Sequence, residues 1–126
     1  MLAHCDIIAF IATAHPEEAK MFYSEMLGLP LMEDTPFALV FDANGTMLRI
    51  QKIETLTRAG YTALGWHVGD IHEAVEVLCK RGIFFDRYTG LPQDEQGIWT
   101  TPEGNKIAWF TDPDGNTLSL TEMRRD

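Results

Sequence analysis

Two stretches of the chain repeat one pattern of turn and strand residues. The first reads FDANGTMLRIQK (41–52) and the second TDPDGNTLSLTE (111–122), at an offset of 70. In both, a strand ends at an aspartate, Asp42 or Asp112, and a glycine follows three positions later. Apolar and polar residues then alternate, which is typical of a strand with one buried face. Each stretch is predicted to fold as a hairpin, and a duplicated hairpin constrains the fold to two similar modules.

A pair of predicted helices repeats in the same order. HPEEAKMFYSEMLG (15–28) and DIHEAVEVLCKRG (70–82) both carry apolar residues at intervals of three and four, at an offset of 55. Pro16 suits a first helical position, Asp70 suits an N-cap, and both segments end at a glycine. The offset grows from 55 at the helices to 70 at the hairpins, so the second module has about 15 extra residues. We place them in TGLPQDEQGIW (89–99).

Short β-rich runs flank both helices. The predicted strands cover residues 6–13, 29–33, 37–42, 46–53, 61–68, 83–88, 97–101, 106–112 and 116–122. We therefore predict an α+β fold in a single domain of residues 1–126. It consists of two βαβββ modules, about 1–56 and 60–123, joined by TLTRAG. One face of each curved sheet packs on its helix, and the other is predicted to line a cleft.

Composition narrows the possible partners. The chain has 19 acidic and 10 basic side chains and a net charge of −9, which disfavours binding to phosphate backbones and anionic lipids. We therefore expect no nucleic-acid and no membrane partner. The start, MLAHCDIIAF, lacks the basic region of a signal peptide, and Cys5 and Cys79 have no metal or redox spacing. A cytoplasmic location with free thiols is the expectation.

Three separated motifs carry a family resemblance. FYSEMLGLPL after the first strand, VGDIHEAVEVLCKRGI at the centre and DPDGNTLSLTE at the end resemble the vicinal oxygen chelate (VOC) superfamily, the glyoxalase/bleomycin resistance protein/dioxygenase family. The resemblance implies two βαβββ modules whose sheets curl around a cleft, often within a homodimer. It leaves the activity open, because this family hosts several chemistries on one scaffold.

The resemblance also implies where a metal would bind. Metal enzymes of the family place four ligands, usually His, Glu or Gln, on the first and last strand of each module. The matching positions in this chain are Ile8, Arg49, Ala63 and Ser119. Isoleucine and alanine have no donor atom, arginine is cationic, and a neutral serine is a poor ligand. We therefore expect no metal cofactor. A divalent metal at a displaced site, using His4 and His67, is the alternative.

Strand alternation predicts which residues face the cleft. The expected ligand-binding residues are Arg49, Gln51, Ser119, Trp99, Trp109 and Phe110. Trp109 and Phe110 point to opposite faces of one strand, so one of them belongs to the core. Arg49 either holds a carboxylate or phosphate or forms a salt bridge on an edge strand. His67 is the candidate catalytic base, and its alternative is a packed, hydrogen-bonded histidine.

These residues predict a metal-independent protein that binds a small, planar or cationic ligand in its cleft. An enzyme of the same family is the alternative, either a glyoxalase I-like lyase or isomerase or a dioxygenase. It would use a displaced metal site or His67 as general base. Asp94 and Glu95 in the inserted segment are either catalytic carboxylates or solvated loop residues. A further alternative is an interaction module whose cleft serves dimerisation alone.

Overall fold

The fold is described for residues 1–125 of a computed structural model. The chain divides into two compact units, Met1–Arg58 and Ala59–Asp126. The boundary falls within TLTRAG (55–60), the segment that the repeat predicts as a linker. Each unit has its own sheet and its own helix, and each is described by itself.

Unit 1 consists of one four-stranded sheet and one short helix. Its elements in chain order are β1 (Ile8–Thr13), α1 (Pro16–Met21), β2 (Leu31–Asp34), β3 (Ala38–Ala43) and β4 (Thr46–Lys52). The strands lie in the order β1-β4-β3-β2, with β1 parallel to β4 and the other pairs antiparallel. The β3–β4 hairpin has Asn44 and Gly45 at positive φ, as the sequence DANG predicts.

Unit 2 repeats this plan with a longer helix. Its elements are β5 (Thr62–His67), α2 (Ile71–Lys80), β6 (Trp99–Thr100), β7 (Lys106–Thr111) and β8 (Thr117–Glu122). The order is β5-β8-β7-β6, with β5 parallel to β8. The predicted N-cap is confirmed, since the Asp70 side chain accepts a hydrogen bond from the Glu73 backbone N–H (3.1 Å). The predicted α+β fold with its repeated βαβββ arrangement is thus confirmed.

Three predicted elements need correction. The first strand starts at Ile8 and not at residue 6, because Leu2–His4 form a 3-10 turn. The helix of unit 1 changes after Met21 into a π-helical turn, Phe22–Met26, which ends before Gly28 at positive φ. The predicted strand 83–88 makes a single bridge, from Phe85 to Phe110, and is otherwise irregular.

Each sheet buries one face against its helix, which we call the proximal face. In unit 1 the proximal face includes Leu48, Ile50 and Phe41, all fully buried, and the Tyr23 ring packs on Phe41. In unit 2 it includes Leu118 and Phe110, with Ile71 and Val75 of α2 buried in the same unit. The opposite face of each sheet, which we call the distal face, carries the predicted site residues.

The described helices were also compared with the dimensions of a lipid bilayer. Within residues 1–125, no helix combines the length and the apolar character that a membrane span requires.

Candidate functional site

The distal face of unit 2 brings together most of the residues predicted for the site. Strand register places two rows of residues side by side across this face. The first row runs Gly65, Ser119, Trp109, and the second runs His67, Thr121, Ile107, Trp99. The predicted alternation is therefore correct along β7 and β8 and along β5 from Leu64 to His67. A register shift between Thr62 and Leu64 interrupts it at Ala63, which was predicted to share the face of Gly65.

Three aromatic rings form a cluster over this face, which we call the aromatic cluster: Tyr88, Trp99 and Trp109. The two indoles are stacked, with centroids 6.1 Å apart and planes inclined by 24°. The Tyr88 ring meets Trp109 edge-on, at 5.4 Å and 89°. Both indoles are only half-buried, so their surfaces are partly available. An assembly of this kind offers a flat apolar surface with fixed edges.

Gly65 and Ser119 are paired across β5 and β8, beside this cluster. A Cβ atom added to Gly65 would lie 2.6 Å from the Ser119 Oγ, so the absence of a side chain gives this hydroxyl its position. Ser119 is 8% exposed. Its hydroxyl has no hydrogen-bond partner within the described chain. A hydroxyl with free hydrogen-bonding capacity next to an aromatic surface can orient a polar ligand group.

Residues 83–88, the predicted strand that forms only one bridge, complete the distal face. The Asp86 backbone N–H donates to the Trp109 carbonyl (2.7 Å), on the side of β7 away from Ser119. Phe85 packs on Phe110 at the proximal face (5.3 Å). Because side chains alternate along an extended segment, Asp86 and Tyr88 lie on the distal face. Asp86 was missed as a site residue, although the alternation in IFFDRY was a signal for it.

Gln93 fixes this segment in place. Its side-chain amide donates to the carbonyls of Asp86 (2.9 Å) and Gly97 (2.8 Å). Its side-chain oxygen accepts from the Tyr88 backbone N–H (2.8 Å). The inserted segment therefore serves as a brace that holds Tyr88 and Asp86 beside the sheet. Such a brace reduces the entropy lost when a ligand binds.

Phe110 does not share the face of the other predicted ligand-binding aromatics. It is fully buried on the proximal face and packs on Trp66 (6.3 Å) and Phe85 (5.3 Å). Period-two alternation explains this, since Phe110 and Trp109 are neighbours on one strand. Of the two sets that the sequence left open, Ala108 and Phe110 belong to the core.

The distal face of unit 1 has a different chemistry. Phe10, Arg49 and Val40 lie in one row, with Ile8 and Met47 in the next. Ile8, Phe10 and Met47 are exposed. The Arg49 guanidinium contacts the Met47 sulfur at 4.0 Å and makes no ion pair within the described chain. Gln51 is exposed on the same face. One guanidinium nitrogen donates to this sulfur, and the other N–H groups are available for an anion. β4 is a central strand, and the edge-strand salt bridge considered as the alternative is not formed within residues 1–125.

His67 lies at the end of β5 and is exposed. It lines a concavity of about 260 Å³ together with Glu122 and Arg124. No hydrogen bond holds the His67 ring within residues 1–125, so the packed, hydrogen-bonded alternative does not describe it. His4 belongs to the 3-10 turn of unit 1 and not to the face of β1, contrary to the predicted strand alternation.

A second concavity, of about 410 Å³, lies on the helix side of unit 2, between α2 and the inserted segment. Val75, Cys79 and Glu95 are among its lining residues. Asp94 has a structural role in the same segment, because its carboxylate accepts from the backbone N–H groups of Gln96 and Ile98 (both 2.9 Å). Neither carboxylate of the inserted segment therefore belongs to the distal face that carries the aromatic cluster.

Comparison with known proteins places the chain in a family. The profile of the Glyoxalase/Bleomycin resistance protein/Dioxygenase superfamily matches residues 2–120. The chain belongs to this superfamily. Among proteins with curated descriptions, no sequence match was found. The superfamily contains the VOC proteins, so the predicted resemblance is confirmed.

Solved structures of the superfamily share the fold over the whole length. A superfamily member from Sphaerobacter thermophilus is 25% identical, with a TM-score of 0.74 and coverage of 98% of this chain and 100% of that one. An antibiotic binding protein from a Streptomyces species is 23% identical (TM-score 0.69, coverage 96% and 98%). Lactoylglutathione lyase from Agrobacterium tumefaciens is 18% identical (TM-score 0.65, coverage 94% and 93%). At these identities the similarity supports a common fold and not a common activity.

The residues at the superfamily's metal positions do not fit a metal ion. In unit 1, Ile8 and Arg49 share the distal face but supply a hydrocarbon and a cation. In unit 2, Ala63 has no donor atom, and the Ser119 hydroxyl is an uncharged oxygen. Within the described residues, no group of three or more His, Cys, Asp or Glu side chains is arranged to hold a metal. The superfamily's metal chemistry therefore has no ligand set at these positions.

Proposed function

We propose that this superfamily member binds a small planar molecule on the aromatic cluster of unit 2, without a metal. The observation that supports this most is the stacked pair Trp99 and Trp109 on the distal face, half-buried and edged by Tyr88. Ser119 supplies an unbonded hydroxyl beside the rings. The name of the antibiotic binding protein with the same fold is consistent with such a role.

Tryptophan fluorescence tests this proposal, because the three tryptophans lie on different faces. Trp99 and Trp109 are on the distal face, whereas Trp66 is stacked on Phe110 at the proximal face. A planar ligand such as acridine should quench the emission of the wild-type protein and of a Trp66→Phe variant. The double variant Trp99→Phe/Trp109→Phe, which keeps only Trp66, should lose most of the quenching. Equal quenching in both variants would contradict binding at the aromatic cluster.

We also propose a homodimer, because unit 1 exposes apolar side chains on its distal face. Phe10 is 54% exposed and has Ile8 and Met47 beside it. Exposed apolar patches of this kind mark interaction surfaces. Sedimentation analysis should find a species of twice the 14.2 kDa chain mass, and Phe10→Asp should shift it to the single-chain mass. A wild-type protein that sediments as a single chain at every concentration would contradict the dimer.

The metal-independent character has its own test. Mass spectrometric analysis of protein purified without a histidine tag should find no stoichiometric transition metal. Binding of acridine should survive treatment with a chelator. A metal that is bound in equal amount to the protein, and lost in His67→Ala, would instead support the enzyme with a displaced site.

His67 supports a second candidate, a metal-free isomerase or lyase. Its exposed, unbonded imidazole lines a concavity and lies in the row next to Ser119. An imidazole ring can both accept and donate a proton, which suits proton transfer. In that case His67→Gln would retain ligand affinity and lose hydrogen–deuterium exchange at an acidic carbon of the ligand. Unchanged exchange in the variant would rule out His67 as the base.

A further inference from the structure

The Asp86 carboxylate is partly buried and unpaired within residues 1–125, which is unfavourable for the stability of the fold. It lies beside Trp109 on the distal face, partly buried and two residues from Tyr88. Its carboxylate makes no hydrogen bond and no ion pair within the described chain. Burial of an unpaired charged group opposes folding. An unpaired carboxylate on the same sheet face as the aromatic cluster breaks the usual rule that polar groups are paired, and such exceptions are expected at functional sites.

The neighbouring cation does not compensate this charge. Arg87 follows in the sequence and points away, because its guanidinium donates to the backbone carbonyls of Asp94 (2.7 Å) and Glu95 (2.8 Å). The brace from Gln93 holds the backbone of residue 86 beside β7, because the Gln93 amide donates to the Asp86 carbonyl. Asp86 thus stays on the same face of unit 2 as the aromatic cluster.

The ionisation of the two neighbours agrees with this geometry. Desolvation raises the pKa of Asp86 above 3.8. Desolvation and then the nearby Asp86 charge raise the pKa of Tyr88 above 10.0. Desolvation is the cause of the first shift and the larger cause of the second, and a bound cation would stabilise the charged form of Asp86.

We propose that Asp86 selects organic cations, that is, planar molecules carrying a protonated amine, for the aromatic cluster. The ring of such a ligand stacks on the indoles, and its N–H groups donate to the Asp86 carboxylate. The aromatic faces add a cation–π attraction of their own. This assignment rests on the proposed function of the cluster and adds the charge of the ligand to it.

The test uses three probes with one ring system and different charges. They are 9-aminoacridine, which is protonated, acridine, which is uncharged at mildly alkaline pH, and acridine-9-carboxylate, which is anionic. Calorimetric titration of the full chain should give the tightest binding for 9-aminoacridine, by about tenfold over acridine. The anion should bind most weakly of the three.

The decisive variant is Asp86→Asn, which keeps the size of the side chain and removes its charge. It should weaken binding of 9-aminoacridine about tenfold and leave acridine unchanged. Its melting temperature should be equal to or above that of the wild type, because the variant relieves an unpaired charge. Glu103→Gln is the matched control, since Glu103 is exposed in the turn before β7 and the net charge changes equally. That control should bind all three probes as the wild type does.

The outcomes separate the charge assignment from the function beneath it. If acridine binds the cluster but 9-aminoacridine has no advantage, or Asp86→Asn keeps that advantage, the role of Asp86 is wrong and the cluster remains a binding site. An equal loss for all three probes in Asp86→Asn would assign Asp86 a structural role and overturn the proposal. If no probe binds, the proposed function itself is contradicted, and the assignment to Asp86 falls with it.

Discussion

The two units of this protein have the same strand order, but their distal faces carry different kinds of side chains. Matching rows cross the central strands, Phe10–Arg49–Val40 in unit 1 and Gly65–Ser119–Trp109 in unit 2. Unit 1 presents exposed aliphatic groups and an unpaired guanidinium, whereas unit 2 presents indoles, a hydroxyl and an unpaired carboxylate. The two units therefore share their strand order and their apolar buried face, and they differ in the side chains of the distal face. Distal side chains are free to vary because the helix of each unit packs on the proximal face of its own sheet.

The largest expected effect tests whether the proximal faces are equivalent. Phe41 and Phe110 are both fully buried at matching positions. Truncation of either to alanine should lower the free energy of unfolding by about 3–5 kcal/mol, because each leaves a large cavity. Trp109→Ala, on the distal face, should lower it by about 1–2 kcal/mol. Urea denaturation measures all three, and a loss for Trp109→Ala equal to that for Phe110→Ala would show that the distal face of unit 2 is core.

The two hairpin aspartates, Asp42 and Asp112, differ in burial and in the number of hydrogen bonds that they accept. Asp112 is 6% exposed, and its carboxylate accepts hydrogen bonds from the backbone N–H groups of Asp114 and Asn116 and from the Asn116 side chain. Asp42 accepts from the Gly45 N–H (2.8 Å) and is less buried. Asp112→Ala should therefore destabilise by about 2–3 kcal/mol and Asp42→Ala by about 1 kcal/mol. Equal values in thermal denaturation would contradict this difference between the turns.

Gly65 and Phe10 occupy matching positions, but only substitution of Gly65 by alanine is expected to lower the stability. Gly65→Ala forces the Ser119 hydroxyl out of its position and should destabilise by about 1 kcal/mol. Ser119→Ala should remove most of that penalty in a double-mutant cycle, because the clashing oxygen is then absent. Phe10→Ala removes a ring that is exposed within unit 1, and at protein concentrations where the chain is monomeric it should change the stability by no more than about 0.5 kcal/mol. A Gly65→Ala effect that persists in the double variant would place its cause in the backbone.

The smallest expected effect is the pH dependence of stability. Its sign is opposite for Asp34 in unit 1 and Asp86 in unit 2. Hydrogen bonds from Lys52 (2.6 Å) and then Lys20 (3.1 Å) lower the pKa of Asp34 below 3.8. Asp34 therefore contributes stability above pH 3.8, which is lost as the pH falls through its lowered folded pKa. The pKa of Asp86 is raised, so its relative stabilisation is present below pH 3.8 and lost as the pH rises through the folded pKa.

Melting temperatures across acid and neutral pH test this contrast. Asp34→Asn should be less stable than the wild type at neutral pH and equal to it in strong acid. Asp86→Asn should be equal to or more stable than the wild type at neutral pH, with the difference vanishing below pH 3.8. Parallel profiles for the two variants would contradict the opposite environments assigned to these carboxylates.

Sequence patterns predicted the elements well where local chemistry specifies them. The Asp70 N-cap, the hairpin turns and the alternation of β7 and β8 are set by hydrogen bonds and side-chain periods within a few residues. The prediction was wrong for residues 83–88 as a strand, because the apolar run IFF satisfied the strand pattern while only one bridge forms. It was also wrong about the extent of β1, because a 3-10 turn takes up residues 2–4.

The sequence alone determined the fold, because repeated turn residues and helix caps act locally and recur in one order. The residue types also predict that Ile8, Arg49, Ala63 and Ser119, the positions that the resemblance matches to metal ligands, supply no metal-ligand set. Only the tertiary structure decided which aromatic side chains share a surface, separating Trp109 from Phe110 and adding Tyr88. It also revealed the unpaired carboxylate of Asp86, because strand register and the brace from Gln93 bring together residues that are distant in the chain.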